Sequence, residues 1–184
     1  MNVDEARALM EEWTAGAPLR HHMECVAACM GAYADRYAPQ DRDRWIAAGL
    51  LHDMDYERHP TKEEHPFVGV EHLRRRGDVD DEIIDAILGH ADYSGVARET
   101  PMARALFAVD ELAGFIVACC KVRPNGIADL KPKSVRKKLK DKAFAAGVNR
   151  GDITRGIEEL GVDPTEHIQT CIDALRADAE RLGL

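Results

Sequence analysis

Apolar residues recur at intervals of three and four from one end of this chain to the other, and no convincing period-two stretch interrupts them. That pattern leaves no room for a sheet-based core and predicts an all-α fold of about eight or nine helices. Val3 to Trp13 reads as a short opening helix. Pro18 to Tyr37 follows, with His22, Val26, Cys29, Met30, Tyr33 and Tyr37 on one broad face and Pro39 as its stop. Arg42 to His52 forms a third helix, and Pro60 and Thr61 mark the loop beyond it. A helix from Pro66 runs through Arg76 and ends at Gly77. Asp80, Asp81 and Glu82 supply carboxylates that favour the dipole of a helix over Ile83 to Ala91. Thr100 and Pro101, a capping oxygen followed by proline at the first helical position, open a long apolar helix. In the tail, Ser134 is placed to cap a basic helix, Asn149 or Gly151 opens the next, Gly161 closes it, and Asp163-Pro164 starts the last.

One position in that scaffold carries chemistry. The doublet His52-Asp53 ends the otherwise apolar run Ala47-Ala48-Gly49-Leu50-Leu51. His22 precedes it, His65 and His90 follow, and Asp110 lies inside the long apolar helix. An unpaired carboxylate buried in such a helix is costly, so Asp110 requires a partner, and a cation is the natural one. Imidazole and carboxylate together suit a first-row transition metal without any thiolate. Adjacent helical residues point about 100° apart, so His52 and Asp53 reach one ion only from a helix end or a distortion. The two oxygens of Asp53 also allow it to bridge two ions. His22 is favoured over His21 because it is in phase with Val26 and Cys29; His21 is expected outside the ligand set. His72 is expected on a solvated helix face, and nothing ties His167 to the centre.

These residues, in this order, resemble the HD superfamily of metal-dependent phosphohydrolases, whose signature is a His, a His-Asp doublet and a distal Asp. His22-Met-Glu-Cys-Val-Ala looks like the first ligand helix, Leu50-Leu51-His52-Asp53 like the doublet, and Phe107-Ala-Val-Asp110 like the closing aspartate. His65 and His90 resemble the additional ligands of the branch that binds two metals. The likeness covers roughly residues 18 to 120 and implies a compact helical bundle. We therefore divide the chain into an HD-type metal-binding region, 1–124, and a C-terminal helical extension, 125–184, packed on the same domain. The resemblance implies a hydrolase acting on a phosphate ester or anhydride, with His52 and Asp53 at the catalytic centre. Its cofactors would be two divalent transition metals per chain, drawn from Fe, Mn, Zn, Co or Ni. The six-ligand pattern is also similar to the di-iron oxygenases of the superfamily, and a catalytically silent nucleotide-binding module is a third reading. Asp55 and Tyr56 stand where many members carry a glycine and then often a lysine, so the substrate class stays open between these readings. Asp55, Lys62 and Glu64 are the candidate general acids by position in the chain.

Composition narrows the partner. A net charge of -8 disfavours an extended nucleic acid; the partner that the resemblance implies is a small phosphorylated molecule or nucleotide. The charge is uneven: Lys131 to Lys142 holds seven bases and one acid, a local +6 that leaves -14 elsewhere. This segment reads as a solvated amphipathic helix with Val135 and Leu139 inward; its rival is a positive wall folded toward the metals. Arg58, Lys62, Lys121 and Arg123 are the candidate substrate-binding cations, while Asp92 and Tyr93 are placed equally well to line the cleft or simply to end the helix. Arg104, Asp110 and Glu111 break the most apolar run, Ala103 to Cys120, so it is not expected to span a membrane. The N-terminus carries no secretory pattern, and five cysteines without a Cys-x-x-Cys read as reduced core thiols, together pointing to the cytoplasm. No exposed heptad indicates an oligomeric state.

Overall fold

The structure, a computed structural model describing residues 1–184, contains ten α-helices and no strand. Helices α1 (Val3–Trp13), α2 (Ala17–Tyr37) and α3 (Arg42–Leu51) lead to a loop, then α4 (Phe67–Arg76) and α5 (Asp81–His90). The long α6 (Pro101–Lys121) occupies the centre, followed by α7 (Pro132–Leu139), α8 (Arg150–Leu160), α9 (Pro164–Ala177) and α10 (Ala179–Leu182). The tenth helix arises because the last predicted helix breaks at Asp178.

Local chemistry sets most boundaries. Asn2 and Glu5 form a reciprocal capping box on α1, and the side chains of Asp80, Thr100, Asn149 and Asp163 accept first-turn N–H groups of α5, α6, α8 and α9. Gly77 and Gly161 end α4 and α8 in the left-handed conformation. Ser134 does not cap α7: Pro132 already occupies the first turn, which places Ser134 inside the helix.

Helix α6 is buried along nearly its whole length, packed by α2, α5, α8 and α9. Two close approaches draw the bundle tight around it. A Cβ on Gly156 would lie 2.6 Å from the Ala108 Cα, so α8 touches α6 backbone to backbone. A Cβ on Gly49 would lie 2.7 Å from the Ala27 Cα, which presses α3 onto α2 just ahead of the His-Asp doublet. The C-terminal helices share the same core: Ile153, Ile168, Cys171, Ile172 and Leu175 join one apolar cluster with residues of α1 to α6.

Two histidines outside the candidate ligand set have tertiary roles. His167 is fully buried, accepts a hydrogen bond from the Tyr33 hydroxyl at Nδ1, and donates from Nε2 to the Ala108 carbonyl at 3.0 Å. It thus ties α9 to α2 and α6, a tertiary role that helical phase cannot reveal. His72 is half-buried, its ring 4.7 Å from Trp13 of α1. All five cysteines are buried free thiols. No helix is long and apolar enough to cross a membrane.

Candidate metal centre

Helix α3 stops at Leu51, and residues 52–58 continue as turns. This break lets the adjacent side chains of His52 and Asp53 converge, which a continuing helix would forbid. His22 projects from the middle of α2, Asp110 from the middle of α6, His65 from the loop before α4, and His90 from the last residue of α5. Five separate segments therefore meet at one point.

The two oxygens of Asp53 divide this cluster. Oδ2 lies 3.5 Å from His52 Nε2 and 3.8 Å from His22 Nε2. Oδ1 lies 3.3 Å from both His65 Nε2 and His90 Nε2. Asp110 completes the first half, its Oδ1 3.0 Å from His22 Nε2 and 3.5 Å from His52 Nε2. Two ligand-competent groups result, His22-His52-Asp53 and Asp53-His65-His90, joined at one carboxylate.

Hydrogen bonds behind the rings aim them inward. His52 Nδ1 is bonded to the Gly49 carbonyl at 2.8 Å, and His90 Nδ1 to the Ile87 carbonyl. His65 Nδ1 lies 2.7 Å from Asp55 Oδ1, while Asp55 Oδ2 accepts the Gly69 N–H at 2.7 Å. Because carbonyls and this carboxylate accept, each Nδ1 carries a proton, which leaves each Nε2 as the nitrogen that presents a lone pair to the centre once its own proton is displaced. His52 Nε2 is buried without a hydrogen-bond partner. The Nε2 atoms of His65 and His90 stand 3.2 Å apart, an opposition of lone pairs that a cation between them would relieve. The donor set thus fits divalent metals by chemistry and by orientation.

Electrostatics point the same way. Burial pushes the His52 imidazole down, but Asp53 and Asp110 outweigh it and raise the pKa to about 9. Burial likewise pushes Asp53 up, yet His52 and His90 hold it below the usual carboxylate range; Asp110 is held well below it against burial by His52 and His22. The centre is strongly attractive to positive charge, and at neutral pH protons compete with metal for it.

The cluster opens on a cleft of about 550 Å³. Lys62 stands at its wall, with Nζ 5.5 Å from the Tyr93 ring centroid, and is the only lysine or arginine lining it. Tyr56 and Tyr93 also line it, each more than four-tenths exposed. The other candidate cations lie elsewhere. Arg58 donates to the Glu12 carbonyl at 2.6 Å and lies over Trp13. Lys121 and Arg123 line a separate cavity beyond His22, and Arg123 pairs with Asp129 at 2.6 Å. Helix α7 packs against α9 and α6, so the basic segment forms no wall of the cleft. That wall is acidic instead, built from Asp92, Glu111 and Asp152 together with Asn149.

Several of these positions are misplaced or missed by sequence reasoning. Asp55, a candidate general acid by its position in the chain, is 1% exposed and accepts from His65 Nδ1–H and the Gly69 N–H, so it stands behind the ring and not in the cleft. Asn149 reads only as a helix-start residue and Asp152 carries no signal in the sequence; α8 brings both to the cleft by packing on α6. Glu111, neighbour to Asp110, is pushed above its ordinary pKa by burial and by that charge.

A family model described as HD domain matches residues 19–114, just over half of the 184-residue chain. No curated protein and no solved structure matches it.

Proposed function

The chain belongs to the HD domain family, a superfamily of metal-dependent phosphohydrolases, and from that premise we propose that it hydrolyses a phosphate ester or anhydride on a small nucleotide-like molecule. The observation that carries this reading is the position of Asp53, whose two oxygens face two different histidine pairs. His22, His52, Asp53 and Asp110 would hold one divalent cation; His65, His90 and Asp53 would hold the second. When bound, two such cations acidify water for attack and neutralise charge growing on the phosphoryl oxygens.

The chain's own residues do the rest. The Nδ1–H bonds to Gly49, Asp55 and Ile87 lock three imidazoles before ligands arrive, so little reorganisation accompanies binding. Lys62 supplies one positive charge where a phosphoryl group would enter. Tyr56 and Tyr93 present exposed rings beside it, suited to a planar substrate moiety. Glu111 carries no ion pair, and the Asp92 and Asp152 carboxylates are paired with Arg155, so the wall offers a long polyanion no positive track and favours a small substrate.

Metal content by plasma mass spectrometry, on protein purified without chelator or added metal, is the first test. Two equivalents per chain are expected, falling to one in His65→Ala or His90→Ala. Phosphate release from a panel of nucleotides and phosphate esters should then disappear in Asp53→Ala. Failure to bind metal on reconstitution would overturn the reading, as would oxygen consumption without phosphate release by the iron-loaded protein.

A further inference from the structure

Four histidines face the centre, and three have a protein acceptor for Nδ1–H. His22 has none. Its Nε2 points to Asp110, while Nδ1 looks the other way, toward Gly114 of α6, where a Cβ would lie 3.7 Å from it. Gly114 and His22 both line a second cavity of about 580 Å³, and His22 is the one residue shared between it and the metal cleft. The ring is therefore a partition, with its ligating nitrogen in one chamber and its other nitrogen open to the second.

Two cationic side chains and the C-terminal segment line that second chamber. Lys121, which forms no ion pair, lines it together with Arg123, whose guanidinium is already paired with Asp129. The segment Leu182–Leu184 forms one wall, pinned by a 2.8 Å hydrogen bond from His21 Nε2 to the Leu182 carbonyl. The Cys25 thiol beside it is pushed up to about 12 by burial and by Cys29, and so adds no negative charge.

We propose that this cavity binds a small oxyanion, a carboxylate or a phosphate, which accepts the His22 Nδ1–H and is held by Lys121 and Arg123. The anion supplies His22 with the outer partner that the other three histidines receive from the protein. It thereby couples occupancy of a second site to metal affinity in the first. Both the Nδ1–H and its effect on metal rest on the proposed metal centre, because a metal on Nε2 leaves the ring proton on Nδ1. Loss of an outer hydrogen-bond partner weakens metal binding by roughly 10- to 100-fold, which sets the scale of the regulation.

The test follows the His22 Nδ1–H resonance of zinc-loaded protein by long-range nitrogen–proton NMR while inorganic phosphate, or separately acetate, is added. A saturable shift in the wild type is expected. It should be absent in Lys121→Met and in Gly114→Ala, whose added methyl covers Nδ1 at ordinary van der Waals distance. Whichever anion saturates at lower concentration identifies the source. Zinc release to a chelator should slow roughly tenfold with anion in the wild type and not in either variant. Phosphate acting directly on the metals would slow release equally in all three proteins, and that result refutes the proposal. So does a His22 signal that stays still or moves alike in the variants. Zinc content of the same sample separates the two failures: absence of bound zinc overturns both readings, whereas bound zinc with an unmoved His22 signal overturns the anion site alone.

Discussion

Replacing Asp55 by asparagine tests the arrangement behind the second histidine pair. The Asp55 carboxylate is 1% exposed and accepts twice, from His65 Nδ1–H at 2.7 Å and from the Gly69 N–H at 2.7 Å. An amide of the same shape can accept on only one side. With its oxygen toward His65, its NH2 opposes the Gly69 N–H. Turned over, its NH2 faces His65 Nδ1, which must then become an acceptor and move its proton to Nε2, the ligating atom. The first orientation leaves the Gly69 N–H mispaired, at about 1–3 kcal/mol; the second satisfies both bonds but puts a proton on the nitrogen that would ligate the metal. Escape by backbone movement is limited, because a Cβ on Gly69 would already stand 3.0 Å from the carboxylate. The expected outcome is a fold that survives with Tm lower by roughly 2–4 °C per kcal/mol. Affinity for the second metal should fall roughly 10- to 100-fold while the first is unchanged. Metal content after equilibration against graded chelator, compared with His65→Ala, reads this directly. If Asp55→Asn keeps two equivalents at chelator concentrations that strip His65→Ala, the Asp55–His65 bond does not set the ring's tautomer and the argument fails.

Three further outcomes follow from the same structure. The pKa of His167 is lowered by burial from 6.5 to about 4 despite the Ala108 carbonyl, so the unfolded chain binds more protons between those values. Stability should thus be full above pH 6.5 and decline by about 3 kcal/mol as pH falls to 4. Urea denaturation across that window should show a flatter slope in His167→Gln, and equal slopes would contradict the assignment. Gly156→Ala would force a Cβ to within 2.6 Å of the Ala108 Cα, so we expect a loss of about 1–3 kcal/mol, read as a lower urea midpoint at unchanged slope. Lys62→Met removes the only lysine or arginine lining the cleft and should raise KM for a phosphorylated substrate roughly tenfold with metal content intact, whereas Arg58→Met should leave KM alone.

Much of this molecule is local and therefore legible in its sequence. Helix periodicity, the caps at Thr100, Asn149 and Asp163, and the terminator Gly77 depend on residues within a turn or two of one another. The His52-Asp53 doublet and the apolar surroundings of Asp110 are likewise readable, since a costly residue type in an apolar run announces itself. What the sequence could not supply is distance between helices. Lys62 and Arg58 look equivalent in one loop, yet Lys62 lines the cleft and Arg58 crosses to Glu12. Lys121 and Arg123 follow the Asp110 helix, but α6 runs far enough past the centre to deliver them to the other side of His22. Asp55, His167, Asn149 and Asp152 took their places only when α4, α9 and α8 packed, because a hydrogen-bond partner tens of residues away leaves no periodic trace. Residue chemistry and helical phase determined that this chain is an all-α protein with a His/Asp centre. Tertiary packing alone decided which carboxylate stands behind which imidazole, and which charges face the cleft.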